Sequence, residues 1–185
     1  MRSVISIISL LTISVVIRPS NAQDSVQQNS VTLAGLQQRF RERQDQDLKR
    51  YTPARLRQIE ALFRVGLTFL NQPGERGAAT ESFRGVVKRY PDSNRAGCAL
   101  VYLADLSDDP AQRETYLQTA IQEHSDSFYS DGVQVGAYAR FMLGMLYQKQ
   151  SKNDATRVLF DQIRKDYPDA VTHDGSLLSV LLPSE

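Results

Sequence analysis

The chain has 185 residues, which suits one domain, and it carries 22 Lys and Arg against 21 Asp and Glu. This near balance argues against a nucleic-acid-binding protein, which usually has a strong basic excess. A single cysteine, Cys98, excludes an intrachain disulfide and any zinc site built from several thiolates.

Residues 1–22 are predicted to be a secretory signal peptide. Arg2 precedes a mostly apolar stretch from Val4 to Ile17, which is shorter than the roughly 20 residues that a membrane-spanning helix needs. Small residues up to Ala22 favour cleavage before Gln23. The mature chain is therefore expected to be periplasmic or extracellular, without a membrane span. An uncleaved membrane anchor is the alternative.

Two polar segments follow the predicted cleavage site. Residues 23–32 are expected to form a flexible leader. Residues 33–51 have the pattern of a highly charged lead-in helix with a thin apolar stripe, which is typical of a solvated helix. Oligomerisation through this helix is an open alternative, although it is shorter than the three or four heptads typical of a coiled coil.

Helical periodicity then continues through the predicted domain, residues 52–185, and no segment alternates with the period of a strand. Thr52 and Asp109 are suited to cap helices that begin with the following proline, while Pro91 and Pro168 end helices. The six predicted helices cover approximately residues 53–70, 76–90, 94–106, 110–124, 133–150 and 155–167.

The second and sixth predicted helices share a pattern at a fixed offset of 77 residues. Ala78, Phe83, Val86, Tyr90, Pro91 and Asp92 align with Ala155, Phe160, Ile163, Tyr167, Pro168 and Asp169. The fourth helix is a degenerate middle copy, with Leu117 in the register of Phe83. Small residues recur in the odd helices as Gly66, Ala104 and Gly144. The repeating unit is therefore a helix pair of about 40 residues, present three times.

This pattern resembles the tetratricopeptide repeat family, most closely in Leu143-Gly144-x-x-Tyr147, Phe160 and Tyr167-Pro168-Asp169. The earlier copy is similar to the variant common in bacterial cell-envelope proteins, such as the periplasmic Tol–Pal coordinator and the barrel-assembly lipoprotein. The resemblance implies an all-α fold, in which antiparallel helix pairs stack as a short right-handed α-solenoid. Three repeats and a C-terminal capping segment are expected.

The resemblance also implies that the first helix of each pair lines a concave face that binds a protein or peptide partner. The positions carried over to this sequence are Glu60, Phe63, Leu67, Cys98, Val101, Asp105, Tyr138, Phe141, Met145 and Lys149. Burial in the core is the alternative for the apolar members. The polar groups of Asp105, Tyr138 and Lys149 are the stronger candidates for partner contacts.

The sequence contains no recognisable catalytic motif, and no cofactor or metal is expected. His173 and Asp174 are predicted to lie in a solvated turn, and Cys98 is predicted to be a small buried hydrophobe. The apolar run at residues 177–182 is expected to cap the last helix pair, with docking to a partner or a membrane as the alternative. These features predict an exported, non-enzymatic interaction scaffold. The alternative is a self-associating structural component of the envelope.

Overall fold

The fold is taken from a computed structural model that describes residues 22–183, with side chains described at residue 35 and from residue 37 onward. The helices are α1 (Ala22–Arg50), α2 (Pro53–Leu70), α3 (Arg76–Arg89), α4 (Asn94–Leu106), α5 (Pro110–Glu123), α6 (Val135–Lys149), α7 (Asn153–Asp166) and α8 (Leu178–Leu181). Within this range there is no β-strand, only two isolated β-bridges, so the all-α prediction is confirmed.

The N-terminal predictions meet the structure only in part. The signal peptide falls outside the described residues except for Ala22, and its cleavage stays a prediction. α1 begins at Ala22, so residues 23–32, predicted as a flexible leader, are helical here and continuous with the predicted lead-in helix.

Local sequence signals set the starts of several helices. The Thr52 hydroxyl accepts a hydrogen bond from the Arg55 amide at the start of α2, and the Asp109 carboxylate accepts one from the Ala111 amide at the start of α5. These bonds satisfy amides that have no partner within the helix. Ser93 caps α4 in the same way by accepting from the Ala96 amide.

The helices form two layers that curve in one direction. Each of the helices α2 to α7 packs against the next in the chain, so the three antiparallel pairs are α2–α3, α4–α5 and α6–α7. The first helices, α2, α4 and α6, also approach one another, whereas α3, α5 and α7 share no such contacts in the described part of the chain. The first helices therefore lie on the inner side of the stack, which agrees with the predicted α-solenoid.

In the first and third helix pairs, a phenylalanine ring packs closely against a glycine of the facing helix. A Cβ placed on Gly66 would lie 2.7 Å from the ring of Phe83, and a Cβ on Gly144 would collide in the same way with Phe160. Because a glycine has no Cβ, the ring can pack directly on the facing helix backbone.

The C-terminal segment extends the same stack by one helical turn. α8 packs on α6 and α7, where the first helix of a further pair would lie, and Leu178 is fully buried. The loops before α6 and before α8 have matching hydrogen bonds, since the Gly132 and Gly175 amides each bond to the carbonyl three residues earlier and both glycines have positive φ. The predicted cap is therefore present, although Val180 remains 75% exposed.

Candidate partner-binding groove

The inner side of the stack carries a cavity of about 280 Å³, here called the central groove. It is bordered by α2, α4 and the loops that precede α6 and α8. Its lining residues are Glu60, Phe63, Arg64, Leu67, Arg95, Tyr102, Tyr129, Ser130, Asp131 and His173. The groove therefore combines an aromatic and apolar floor with charged side chains at both ends.

An ion-pair cluster occupies the α2 end of the central groove. Arg95 donates from Nε and Nη2 to the two carboxylate oxygens of Glu60, at 2.8 and 3.0 Å. The same guanidinium lies 4.7 Å from the centroid of the Phe63 ring, and Arg64 approaches Glu60 at 3.5 Å. A bidentate pair fixes both side chains in one geometry. Two arginines sharing one carboxylate leave this end net positive.

A continuous row of rings runs from the core into the groove. Phe83 stacks on Tyr102 with centroids 4.9 Å apart, and Tyr102 meets Tyr129 edge-on at 5.7 Å. His173 then lies edge-on to both Tyr129 at 4.7 Å and Tyr138 at 5.1 Å. Each such aromatic pair contributes about 0.5–1.5 kcal/mol, so these contacts favour this arrangement of the groove surface.

The histidine at the far end lies in an exposed turn, as predicted, and its ring is also part of this arrangement. His173 Nδ1 lies 2.7 Å from Asp131 Oδ2, which connects the loop before α8 to the loop before α6. Partial burial opposes ionisation of Asp131, but the hydrogen bond and charge of His173 and backbone amides outweigh it and lower the pKa of the carboxyl group. The pair joins two loops that are distant in sequence.

The α6 end of the groove is acidic. Burial raises the pKa of the Tyr138 hydroxyl, and the negative charges of Asp105, Asp174 and Asp131 raise it further. Asp105 comes from α4 and the other two from the loops, and of the three only Asp131 lines the central groove. The predicted residue Tyr138 is not a lining residue itself, but its ring contacts that of His173, which is one. The inner side of the stack is thus positive near α2 and negative near α6.

The predicted binding residues divide between the surface and the core. Glu60 and Leu67 line the central groove, and Phe63 lies in its floor but is only 2% exposed and belongs to the core. Val101 is only 3% exposed and Cys98 is fully buried. For these two residues, the alternative of burial in the core is therefore correct. Burial raises the pKa of the Cys98 thiol to about 12, so the thiolate needed for reaction is disfavoured.

The remaining predicted residues on α6 are not brought into the central groove. Phe141, Met145 and Lys149 line a separate cavity of about 190 Å³ together with Arg113 of α5. Lys149, one of the stronger candidates from the sequence, therefore lies apart from Asp105, Tyr138 and the aromatic row.

Sequence reasoning missed a set of ion pairs that places α1 along the stack. Three α1 arginines each approach an aspartate that ends one of the three repeats. The pairs are Arg39–Asp169 at 2.6 Å, Arg43–Asp126 at 3.4 Å and Arg50–Asp92 at 3.8 Å. The shared position of the aspartates in each repeat was the available signal. α1 is thus a strap across all three helix pairs.

A buried cluster anchors the middle of this strap. Arg43 donates from Nη1 to Asp47 at 2.5 Å and from Nη2 to the Asp92 carbonyl at 3.1 Å, and both charged side chains are almost fully buried. The second carboxylate oxygen of Asp47 accepts from the Asn94 amide at 2.9 Å. A carboxylate at the first turn of α4 is favoured by the helix dipole. α1 is therefore part of the folded domain.

The described residues hold no group of three or more His, Cys, Asp and Glu side chains arranged to bind a metal ion. Among the same residues, every helix is either too short or too polar to cross a membrane.

Comparison with known families identifies the repeat. A model described as tetratricopeptide repeat matches two segments of the chain. Residues 60–93 include the C-terminal part of α2 and all of α3, and residues 138–170 include most of α6 and all of α7. Comparisons with curated proteins and with solved structures gave no match. The matches fall on the first and third helix pairs, which share the Gly–Phe contact and the Tyr-Pro-Asp ending. Together, the matched segments and the stacked helix pairs support assignment of this chain to the tetratricopeptide repeat family.

Proposed function

We propose that the chain is an exported, non-enzymatic scaffold of the periplasm or cell envelope that binds a segment of another protein in the central groove. Tetratricopeptide repeats support a protein-interaction role, and the predicted signal peptide supports export. Because a fold by itself does not define a function, the proposal depends on the groove.

The composition of the central groove carries the proposal. Tyr102 and Leu67 offer apolar surface above the buried Tyr129, while Arg64 and Asp131 provide opposite charges at the two ends of the groove. Aromatic and arginine side chains are enriched where proteins contact each other, because they combine a large apolar area with polar groups that set specificity. A cavity of about 280 Å³ suits a few side chains of an extended segment.

Selection from a random peptide library on the purified chain tests this function. Selected peptides should lose affinity for Leu67→Asp, which places a charge on the groove floor. The matched control is Val158→Asp on the outer helix α7, where the side chain is 54% exposed. Failure to select any peptide, or equal loss with both variants, would contradict the proposal.

Export has its own test, since nothing in the fold requires it. Expression in a bacterial host that processes Sec signals should deliver the chain to the periplasm with Gln23 as its first residue, as measured by mass spectrometry of the intact protein. An unprocessed chain retained in the membrane would instead support the anchor alternative.

Self-association is a second candidate function, favoured by the apolar surface of α8. Val180 and Leu181 are both exposed there, next to the buried Leu178. Exposed apolar neighbours at the end of a stack are suited to contact a second copy. Light scattering across a concentration series should then show a dimer that Val180→Asp disrupts, and a monomer at every concentration would exclude this function.

A further inference from the structure

A second groove of about 710 Å³ lies between the strap and the first repeat, and is here called the α1–α2 groove. It shares four lining residues with the central groove, namely Glu60, Arg64, Arg95 and Ser130. The two cavities therefore form one path across the inner side of the molecule. The family match begins at residue 60, so α1, one wall of this groove, lies outside the matched repeats.

The floor of the α1–α2 groove is apolar and partly open. Phe40 and Leu48 come from α1, while Leu56 and Ile59 come from α2. Ile59 is buried. Leu48 is 57% exposed, whereas Asp47, the preceding residue on α1, is buried. A leucine held in this position contributes surface that a partner side chain could remove from water.

The rim of the same groove carries arginines that the fold does not neutralise. Within the described part of the chain, the Arg57 side chain has no hydrogen-bond or ion-pair partner, and the Arg41 side chain donates only to the backbone carbonyl of Gln37. Arg64 shares Glu60 with Arg95, which already bonds to both carboxylate oxygens. One rim carboxylate, Asp45, is outnumbered by these cations. The groove thus combines an apolar floor with a positive rim.

The wall formed by α1 is fixed in place before any partner arrives. Arg43 and Asp47 anchor it in the middle, and Arg39 and Arg50 pair with the repeat aspartates on either side. A preformed groove avoids the cost of ordering a wall on binding.

We propose that the α1–α2 groove docks an acidic amphipathic segment of the partner protein. Its apolar side chains would contact Leu48 and Leu56, and its carboxylates would pair with Arg41 and Arg57. An apolar face flanked by acids matches both the floor and the rim, whereas a basic segment would bring like charges together. This inference rests on the proposed function, because the segment would continue into the central groove.

Fluorescence anisotropy with two synthetic peptides tests the docking chemistry. Both peptides have about 14 residues with leucines along one helical face, and they differ only in carrying glutamates or lysines elsewhere. The glutamate peptide should bind the purified chain at least about tenfold more tightly than the lysine peptide. Higher salt should reduce that difference, because screening weakens exposed charge pairs.

Variants of the chain then locate the site. Leu48→Asp, and separately the double change Arg41→Glu with Arg57→Glu, should each weaken the glutamate peptide by about tenfold or more. The matched controls Val158→Asp and Arg157→Glu change exposed side chains on α7 and should leave affinity unchanged. Helical circular dichroism confirms that every variant is folded.

The outcomes separate this inference from the proposed function. If library-selected peptides respond to Leu67→Asp while the glutamate peptide fails to bind or ignores the α1–α2 variants, the central groove stands and the docking proposal is overturned. A dimer that Leu48→Asp dissociates in analytical ultracentrifugation would show that a second copy occupies the groove and would overturn it too. Weaker binding to the full-length than to the signal-processed chain would identify the signal peptide, residues 1–22, as occupant, with the same consequence.

Discussion

Replacement of Gly66 by alanine should destabilise the chain, although alanine is the better helix former. Gly66 lies within α2, where the ring of Phe83 from α3 packs on its backbone. An added Cβ would lie 2.7, 2.9 and 3.0 Å from three ring carbons. Ordinary carbon contacts are about 3.5–4.0 Å, so the fully buried ring would have to retreat by about 1 Å.

Two opposing free energies set the expected size of this effect. Alanine in place of glycine within a helix contributes about 1 kcal/mol of stability. Overpacking a closed core costs about 1–3 kcal/mol. With the clash as close as it is here, Gly66→Ala should lose about 1 kcal/mol net. Gly77→Ala in α3 is the control, because a Cβ there meets nothing within 4 Å. It should gain about 0.5–1 kcal/mol.

A second change tests the cause of the loss. The middle helix pair has Ala104 and Leu117 in the positions of Gly66 and Phe83, so alanine with leucine is a combination that this chain already uses. Phe83→Leu alone should cost about 1–2 kcal/mol through a small cavity. Adding Gly66→Ala to that variant should cost nothing further, which corresponds to a coupling of about 1 kcal/mol.

Urea denaturation followed by helical circular dichroism measures the unsubstituted chain and the four variants on one scale. The reasoning is refuted if Gly66→Ala is as stabilising as Gly77→Ala, or if the two changes at Gly66 and Phe83 are additive. Either result would mean that the ring does not depend on the glycine for its place between the helices.

Three further changes probe the strap, a buried histidine and the cap. Asp47→Ala removes the buried carboxylate of Arg43 and leaves this guanidinium only the exposed Asp126, so it should cost about 3 kcal/mol, with faster hydrogen exchange in α1, whereas exposed Asp45→Ala should stay within about 0.5 kcal/mol. Burial lowers the pKa of His124, so as the pH falls this histidine is protonated in the unfolded chain before it is protonated in the folded one. The stability of the fold should therefore fall as the pH drops below about 6.5. A pH series of urea denaturation should show that His124→Gln removes this part of the loss. Leu178→Ala removes a fully buried side chain from the C-terminal cap and should cost about 2–4 kcal/mol in the same denaturation assay; an unchanged midpoint would mean that α8 does not cap the stack.

The helix pairs could be predicted because their signals are local and periodic. Pro91 and Pro168 end helices through their own backbone chemistry, which does not depend on distant residues. The recurrence of Phe83 as Phe160 marks two buried positions that pack in similar surroundings. Gly66 and Gly144 were recognised as recurring small residues of the odd helices, and the structure places the two phenylalanine rings on them.

The groove could be predicted only in part, because several of its groups lie in loops or pair over long sequence distances. Asp131 and His173 are 42 residues apart, and loop residues carry no periodic pattern that predicts their contacts. The recurrence of Asp-Gly at Gly132 and Gly175 was the available sign that these loops share one conformation. Charged residues on α1 suggested a solvated helix, since a sequence does not show which charges meet a partner.

In vivo photo-crosslinking tests the central claim that the inner side of the stack receives another protein. Ser130 is exposed and borders both grooves, so a photoreactive amino acid can replace it without disturbing the core. Irradiation should give a discrete adduct of higher mass from that position and none from Val158 on the outer layer. No adduct at Ser130, or the same adducts from both positions, would contradict the account.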